Sequence, residues 1–252
     1  MKTVADLMTT APFVEEQGYV TRLRQILRDG RYREVYAVDD GGRVVGFVDI
    51  ADALRVTDTK SNVTVEGFLK EAATVRRDDT LEAAGTAIKH HRTDSTAVVD
   101  EAGRGVGVVL LADLLPVLLT RHPLRGDAAA IMSQRVVTCR PDDSLKKIHS
   151  KILESGFTAF PVAKNKEIIG IISRTDIIRA GSVRHALRGD SDTTVERIMS
   201  TPVITLSPDD PLSRVAETFM HHDIGMVPVT VDGRVAGVID RHDLLNTIYE
   251  GM

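Results

Sequence analysis

One acidic residue recurs in four similar segments of the chain, always six residues after a glycine. Each segment marks one copy of a longer repeated unit, and we number the copies one to four along the chain. The segments read GFVDIAD (46–52), GVVLLAD (107–113), GIISRTD (170–176) and GVIDRHD (237–243), and they end in Asp52, Asp113, Asp176 and Asp243. An apolar run typical of a buried strand precedes each aspartate, which opens a helix. A carboxylate at that place can bind a polar ligand through its two acceptor oxygens, or it can simply cap the helix.

The four copies fall into two pairs. Copies one and two align without a gap at a spacing of 61 residues, from Gly46 to Gly107, and copies three and four at a spacing of 67, from Gly170 to Gly237. A fixed internal period indicates a repeated supersecondary unit. Because the two spacings differ, we infer that the functional unit is a pair of copies.

Copy three shows which elements each copy should contain. Its local signals are, in order, a β-rich run at 136–140, a turn at 141–144, a helix from Leu145 to Gly156, strands at 157–163 and 167–173, a cap at Thr175-Asp176 and a last helix at 177–180 before Gly181. Each copy is therefore predicted to be β-α-β-β-α. Such a small unit does not bury a sheet face and two helices by itself, so we expect the copies of a pair to pack together.

The predicted fold class is mixed α/β, with four repeated units packed as two pseudo-twofold pairs. We expect one pair in residues 1–120, with motifs at about 4–57 and 63–119, and the other in residues 121–252, with motifs at about 128–181 and 194–250. The boundary falls near Arg121–Asp127. There RHPLRGD (121–127) is echoed by RHALRGD (184–190), either as a solvated connector or as a means of holding Arg125 and Arg188 over a ligand or partner.

Composition narrows the class of protein. The chain has 252 residues, 42% of them hydrophobic and 4% aromatic, so aliphatic cores are expected. Its net charge of −4 gives no electrostatic footprint for nucleic acid. The single cysteine, Cys139, excludes an intramolecular disulfide and fits a reducing compartment. The N-terminus lacks a signal-like apolar core, and Asp113 and Pro116 interrupt the longest apolar run. These features predict a cytoplasmic protein without a membrane segment.

Motifs for catalysis and for metal or cofactor binding are missing from the sequence. It contains no phosphate-binding loop and no nucleophile elbow. His90-His91 and His221-His222 are adjacent pairs on predicted helices, where neighbouring side chains point apart and chelate poorly. Cys139 reads as a small strand residue. We therefore expect a non-enzymatic protein with no cofactor and no metal.

Three motifs together resemble the CBS domain. They follow the patterns M-[ST]-x-x-V-x-T-x-x-P-D-D, apolar-Pro-Val and G-x-x-[ST]-x-x-D. Copies three and four carry them nearly whole, as MSQRVVTCRPDD, AFPV and GIISRTD and as MSTPVITLSPDD, MVPV and GVIDRHD. Copies one and two diverge, with Tyr36-Ala37 and Ala97-Val98 in place of Pro-Val. The resemblance covers essentially the whole chain, so we expect a stand-alone protein of prokaryotic type made of two tandem CBS pairs (Bateman modules).

The resemblance implies adenosine-type ligands in two clefts per pair, with the aspartate accepting hydrogen bonds from both ribose hydroxyls. Carried over residue by residue, one cleft of the second pair would use Ser173, Thr175 and Asp176, faced by Val203, Ile204, Ile224, Gly225, Met226 and Pro228. Its mirror image would use Asp243, faced by Val136, Val137, Phe157, Thr158, Ala159 and Pro161. Asp52 and Asp113 are secondary candidates.

Departures from the pattern leave the ligand open. The Ser/Thr position holds Asp49, Leu110 and Asp240 in copies one, two and four. Some AMP-sensing members of the family place His-Arg before the apolar-Pro-Val run, where this chain has the uncharged pairs Thr158-Ala159 and Gly225-Met226. The residues that could compensate for phosphate charge, or could simply be surface residues, are Arg174, Arg241 and His242. The candidates are AMP, ADP, ATP, S-adenosylmethionine and methylthioadenosine.

Two further hypotheses stand beside an adenosine sensor that signals to a regulated partner. The first is a scaffold whose clefts are degenerate and whose paired copies serve dimerisation. The second is an enzyme, but the barrel and catalytic cysteine loop of inosine monophosphate dehydrogenase, which carries a CBS pair, have no counterpart here. Paired modules of this family associate into a flat disc, so we expect a homodimer or a disc closed within one chain.

Overall fold

The computed structural model describes residues 2–56, 62–180, 193–222 and 224–251. The chain divides into two compact units, Met1–Arg121 and His122–Met252, which we call the first and second units. Gly181, at the end of copy three, and the second RGD echo with Arg188 lie outside the described residues. Arg125 of the first echo is exposed, and Asp127 caps the short helix that follows it.

Copies one and two have the predicted order of elements. Copy one consists of β1 (Val14–Glu15), α1 (Val20–Arg28), β2 (Glu34–Val38), β3 (Val44–Asp49) and α2 (Ile50–Arg55). Copy two consists of β4 (Thr74–Arg76), α3 (Leu81–His91), β5 (Ser95–Val99), β6 (Gly105–Leu110) and α4 (Leu111–Arg121). Each forms a three-stranded sheet in which the first strand is parallel and the third antiparallel to the middle one.

The second unit has a similar order of elements, but its sheets have two strands instead of three. Copy three contains α5 (Ala128–Ile131), α6 (Leu145–Ser155), β7 (Ala159–Lys164), β8 (Glu167–Ser173) and α7 (Arg174–Arg179). Copy four contains α8 (Leu212–His221), β9 (Met226–Val231), β10 (Arg234–Asp240) and α9 (Arg241–Glu250). Two antiparallel hairpins, β7-β8 and β9-β10, form the sheets. The mixed α/β class is confirmed.

Two local predictions for copy three were wrong. Residues 136–140 do not form a regular strand. Among them, only Cys139 pairs with a neighbouring strand, at Val162 of β7. The last helix begins at Arg174 rather than at 177, because the Ser173 side chain accepts the Asp176 N–H and caps the helix three residues earlier than predicted.

Within each unit, the segment at the start of each copy pairs with the other copy, and we call it the exchanged segment. In the first unit the bridges made by these segments are Thr3 to Thr80, Thr9 to Val108, Tyr19 to Thr64 and Phe47 to Lys70. In the second unit they are Asp127 to Pro211, Ser133 to Val238, Ser144 to Thr194 and Ile171 to Ser200. This reciprocal exchange explains why the copies occur in pairs, since each copy completes its packing with a segment attached to the other.

The repeated glycine marks where the exchanged segment passes over the strand. In the first unit a Cβ on Gly107 would lie 2.6 Å from the Thr9 carbonyl oxygen, and one on Gly46 would lie 2.7 Å from the Lys70 carbonyl oxygen. Both distances are below any ordinary contact, and both obstacles are backbone. Only glycine therefore fits at these two strand positions.

In the second unit the same glycines contact a methionine side chain. A Cβ on Gly237 would lie 2.6 Å from Met132 Sδ, and one on Gly170 would overlap Met199 Sδ. These methionines begin the M-[ST] motif of copies three and four. The glycine and the methionine, far apart in sequence, thus belong to one packing contact.

Candidate functional site

Ser173 and Asp176 form a capping box at the start of α7. The Ser173 N–H and hydroxyl donate to Asp176 Oδ2 at 2.7 and 2.6 Å, and the Asp176 N–H donates to Ser173 Oγ at 3.2 Å. Both side chains are half-buried. The cap engages one carboxylate oxygen, Oδ2, and Oδ1 takes no part in it. Helix capping and ligand binding are therefore compatible roles for Asp176.

Arg174 and Thr175, between these two residues, point to different surroundings. Thr175 is buried. The Arg174 guanidinium donates to the Phe157 carbonyl at 3.0 Å and, at closer range, to the Gly156 carbonyl. These are backbone acceptors at the C-terminal end of α6, where a cation is favourable. Arg174 is thus held by the backbone of its own copy.

The predicted opposite wall of the cleft lies on a segment that connects the two copies. We call it a crossing segment, meaning the residues between the contact that the chain makes with a strand of one copy and its next contact with a strand of the other copy. Ser200 pairs with β8, and the chain next pairs with β9, where Leu206 donates to the Pro228 carbonyl at 3.0 Å. Residues 201–205 therefore run from copy three to copy four. They carry Val203 and Ile204, which are half-buried.

The remaining predicted wall residues lie at the start of β9. Met226 pairs with Asp240 across the hairpin and is half-buried, as is Ile224. Gly225 is exposed, and a Cβ there would meet nothing within 4 Å. The strand start is therefore open to solvent on the side of Gly225.

A mirrored crossing segment lies on the copy-four side. Ser133 pairs with β10 and Cys139 with β7, so residues 134–138 run from copy four to copy three. They carry Val136, which is half-buried, and Val137, which is 38% exposed. An exposed apolar side chain on such a segment is available to contact a ligand.

The other predicted residues of the mirrored cleft differ in exposure. Phe157 is half-buried and Thr158 exposed, whereas Ala159 and Pro161 are buried in β7. The Thr158 carbonyl accepts the Arg174 N–H at 3.0 Å. Of this set, Phe157 and Thr158 are the accessible members.

Copy four repeats the capping box with an aspartate in place of serine. The Asp240 N–H donates to Asp243 Oδ2 at 2.8 Å, and Asp240 Oδ1 accepts the N–H groups of His242 and Asp243 at 2.8 and 3.1 Å. Arg241 is buried, and His242 is half-buried. Two carboxylates therefore lie together at the start of α9.

Copy one has the same pair of carboxylates, and a lysine of copy two binds both. Lys70 Nζ lies 2.8 Å from Asp49 Oδ2 and 2.6 Å from Asp52 Oδ2. The Asp52 side chain is only 5% exposed. Burial raises the pKa of Asp52, and Lys70 offsets this only in part. Burial alone would lower the pKa of Lys70, but Asp49 and Asp52 together raise it.

Copy two keeps no such arrangement. Leu110, at the Ser/Thr position, has no side-chain group to accept the helix N–H groups, and Asp113 is exposed on the first turn of α4. The environment of Asp113 is therefore that of a surface residue at a helix start.

Large side chains fill the middle of the first unit. Tyr36, Phe47 and Leu110 form a buried cluster with Ala97 and Val108, and residues before β1 and β4 pack against it. The Tyr36 and Phe47 rings lie 6.1 Å apart. The corresponding crossing segments, 10–13 and 71–73, are shorter than the five-residue segments of the second unit. The first unit thus differs from the second in its shorter crossing segments.

A buried polar group links copies one and two at their shared axis. Glu34 and Ser95 occupy equivalent positions in the two copies, and the Ser95 hydroxyl donates to Glu34 Oε1 at 2.5 Å. The Asp94 N–H donates to Glu34 Oε2 at 3.3 Å, and the Tyr36 hydroxyl donates to the Ser95 carbonyl at 2.8 Å. Burial, followed by the nearby Asp94 carboxylate, raises the pKa of Glu34 from 4.5 to about 8.

We expect this carboxyl group to make the first unit less stable as the pH rises. Between pH 4.5 and about 8, Glu34 holds its proton in the folded chain but loses it on unfolding. The free energy of unfolding should then fall with pH, by at most about 1.4 kcal/mol per pH unit. Glu34→Gln keeps the acceptor for Ser95 and should flatten this dependence in urea denaturation at several pH values.

Glu101→Gln, at an exposed carboxylate of the same unit, is the matched control and should behave as the wild type. A Glu34→Gln protein that loses stability with pH as steeply as the wild type would contradict the assignment to Glu34.

Sequence reasoning missed Lys70 and Glu34. The signal for Lys70 was present, since a lysine stands where the other copies have Thr9, Ser133 and Ser200.

Among the described residues, no group of three or more His, Cys, Asp or Glu side chains could hold a metal ion. None of the helices in that part of the chain is long and apolar enough to cross a membrane. Cys139 is buried, and burial followed by Asp143 raises the pKa of its thiol to about 12.

Comparison with known proteins gives full-length relatives. The chain is 24% identical over 247 residues to the uncharacterized protein MJ1225 of Methanocaldococcus jannaschii, covering 87% of this chain and 88% of that protein. The crystal structure of MJ1225, proposed to be an archaeal homologue of g-AMPK, matches with a TM-score of 0.81 at 20% identity, over 97% of this chain and 99% of that one. A protein of Pyrococcus horikoshii matches with a TM-score of 0.65 at 22% identity, over 98% and 99% of the two chains.

Similarity to enzymes is confined to a part of each. An A-adding tRNA nucleotidyltransferase of Geobacter sulfurreducens is 30% identical over 138 residues, which are 55% of this chain and 15% of the enzyme. The model of the CBS domain matches residues 4–58, 65–120, 128–183 and 195–250. These four matches span nearly the whole chain and contain the four glycine-to-aspartate segments. The chain therefore belongs to the CBS domain family, of which it carries four domains.

Proposed function

We propose that this protein is a non-enzymatic regulatory protein that binds an adenosine-type ligand in its second unit, with Asp176 as the principal contact. One observation carries the proposal. The Asp176 carboxylate uses Oδ2 for its helix cap, while the crossing segment with Val203 and Ile204 runs from the adjoining strand to β9. A polar anchor and an apolar wall thus belong to neighbouring elements.

The chemistry of a ribose matches this anchor. A vicinal diol offers two donors, and a carboxylate accepts both through charge-assisted hydrogen bonds. The neighbouring N-terminus of α7 favours a partial negative charge. Half-buried valine and isoleucine side chains supply flat apolar contact for a base.

The charges around the anchor favour a ligand with little negative charge. The positions before the Pro-Val runs are uncharged, and the Arg174 guanidinium is bound to backbone carbonyls. The copy-four anchor brings Asp240 beside Asp243, which would repel a phosphate. We therefore favour methylthioadenosine or S-adenosylmethionine over ADP and ATP, with AMP between them.

Calorimetry against these five compounds tests the proposal. We expect Asp176→Asn to weaken binding at least about 30-fold, because it removes one of two charge-assisted acceptors worth about 2 kcal/mol. Asparagine keeps an oxygen for the Ser173 N–H, so the helix cap should survive. Asp142→Asn, at an exposed acid of the same copy, is the control.

The proposal fails if none of the five compounds raises the melting temperature at millimolar concentration, because a ligand that binds only the folded state stabilises it. It also fails if Asp176→Asn binds as tightly as the Asp142→Asn control.

The first unit favours a second role, that of a scaffold. Its centre is filled by aromatic side chains, and its Asp52 is bound by Lys70. We propose that this unit contributes contacts to the regulated partner or to a second copy of the chain. Light scattering with and without ligand measures the association, and a monomer under both conditions would exclude the homodimer.

A further inference from the structure

The residue at one position of the exchanged segments distinguishes copy two. The dipeptides that pass over the glycines are Met8-Thr9, Leu69-Lys70, Met132-Ser133 and Met199-Ser200. Three of them end in a short hydroxyl side chain. Copy two alone supplies a long cation, and it does so to copy one, whose Ser/Thr position carries a second aspartate.

The backbone fixes where this cation goes. Phe47 and Lys70 exchange two hydrogen bonds, of 3.0 and 2.9 Å, so Lys70 is held in register with β3. Its ammonium then reaches Asp49 Oδ2 and Asp52 Oδ2 at 2.8 and 2.6 Å. It also lies 6.0 Å from the centre of the Phe47 ring, within cation–π distance.

Copy three presents the same backbone contact without the cation. Ser200 and Ile171 exchange hydrogen bonds of 2.8 and 3.1 Å, as Lys70 and Phe47 do. At the position of Asp49 stands Ser173, which is bonded to Asp176. The two copies therefore differ at two equivalent positions. Copy three has Ser173 and Ser200 there, and copy one has Asp49 and Lys70.

We propose that Lys70 is a built-in occupant of the copy-one cleft, an autoinhibitory contact that fills the place where the proposed ligand's diol would meet Asp52. A protonated amine, like a diol, donates hydrogen bonds to a carboxylate, but it is tethered and always present. The contact also offsets part of the electrostatic cost of burying Asp52 beside Asp49. The inference rests on the ligand role proposed for Asp176.

The test replaces the residues at these two positions of copy one with the serines found in copy three. Lys70→Ser with Asp49→Ser gives the two positions beside Asp52 the residue types that lie beside Asp176, and it removes one charge of each sign. We expect equilibrium dialysis with AMP and with 5′-methylthioadenosine to show an additional site per chain relative to the wild type. Adding Asp52→Ala should abolish that site, and Lys70→Arg, which keeps the cation, should not create it.

The inference is overturned if the double variant gains no site, if the gained site survives Asp52→Ala, or if Lys70→Arg gains it too. Should thermal melting show that the double variant does not fold, Lys70→Thr with Asp49→Ser replaces it, since threonine is the residue at the equivalent copy-one position, Thr9. A wild type that binds neither probe while the double variant binds one refutes only the proposed function. A wild type that binds through Asp176 while the variant gains nothing refutes only the role of Lys70.

Discussion

Gly107→Ala is expected to destabilise the first unit by about 3 kcal/mol, the upper end of the range for overpacking a well-packed site. The added Cβ would lie 2.6 Å from the Thr9 carbonyl oxygen. That oxygen accepts the Val108 N–H at 2.9 Å, and the Thr9 N–H donates to the Val108 carbonyl at 2.9 Å. The clash is therefore relieved only by separating the exchanged segment from β6. Urea denaturation measures the loss.

Two other glycines serve as controls. Gly67→Ala adds a Cβ with nothing within 4 Å and should cost little. Gly170→Ala meets the Met199 side chain, which can move more easily than backbone, so we expect an intermediate loss. Equal stability of the Gly107→Ala and Gly67→Ala proteins would contradict the proposed packing role of the repeated glycine.

Lys70→Met is expected to lower the free energy of unfolding by about 2–3 kcal/mol. Removing one partner of a buried ion pair costs about 3–5 kcal/mol, and we take a smaller value because exposed pairs contribute little. Asp52 is buried, but the Lys70 side chain is 42% exposed and thus partly screened by solvent. Methionine keeps an unbranched apolar stem and is only one atom shorter than lysine, so the loss should report mainly on the charge.

The triple variant Lys70→Met, Asp49→Asn and Asp52→Asn is the matched control. It removes the two carboxylates together with the ammonium, and it should recover most of the stability because no buried charge remains without a partner. A single variant as stable as the wild type, or a triple variant less stable than the single one, would show that the three groups do not act as one ion-paired cluster.

Local sequence signals predicted the elements well and their exact ends less well. The helical spacing of Leu145, Ile148 and Ile152 predicted α6, and all three side chains are buried in it. The predicted start of α7 is three residues too late, because Thr175-Asp176 is also a plausible local cap whereas the structure uses the Ser173 side chain. The run before Cys139 was misread because β-rich composition does not reveal whether a neighbouring strand is available to pair with it.

The Ser173–Asp176 pair was the part of the candidate site that could be inferred locally. Both residues lie within one turn of the same helix, so their spacing in sequence fixes their spacing in the fold. The role of the pair as a ligand contact remains a prediction. The wall residues Val203 and Ile204 came only from the family resemblance, since nothing local in the sequence says which strand a crossing segment approaches.

The sequence by itself determined the fourfold repeat, its grouping into pairs, the α/β elements and membership of the CBS family, because these depend on local periodicity and on short motifs. Tertiary structure alone decided that the repeated glycine accommodates the opposite copy, that Lys70 binds Asp49 and Asp52, and that Glu34 meets Ser95 in the interior. Each of these contacts joins different copies across a pseudo-twofold axis. Which side chains meet there depends on how two copies pack, and the spacing of residues within one copy does not contain that information.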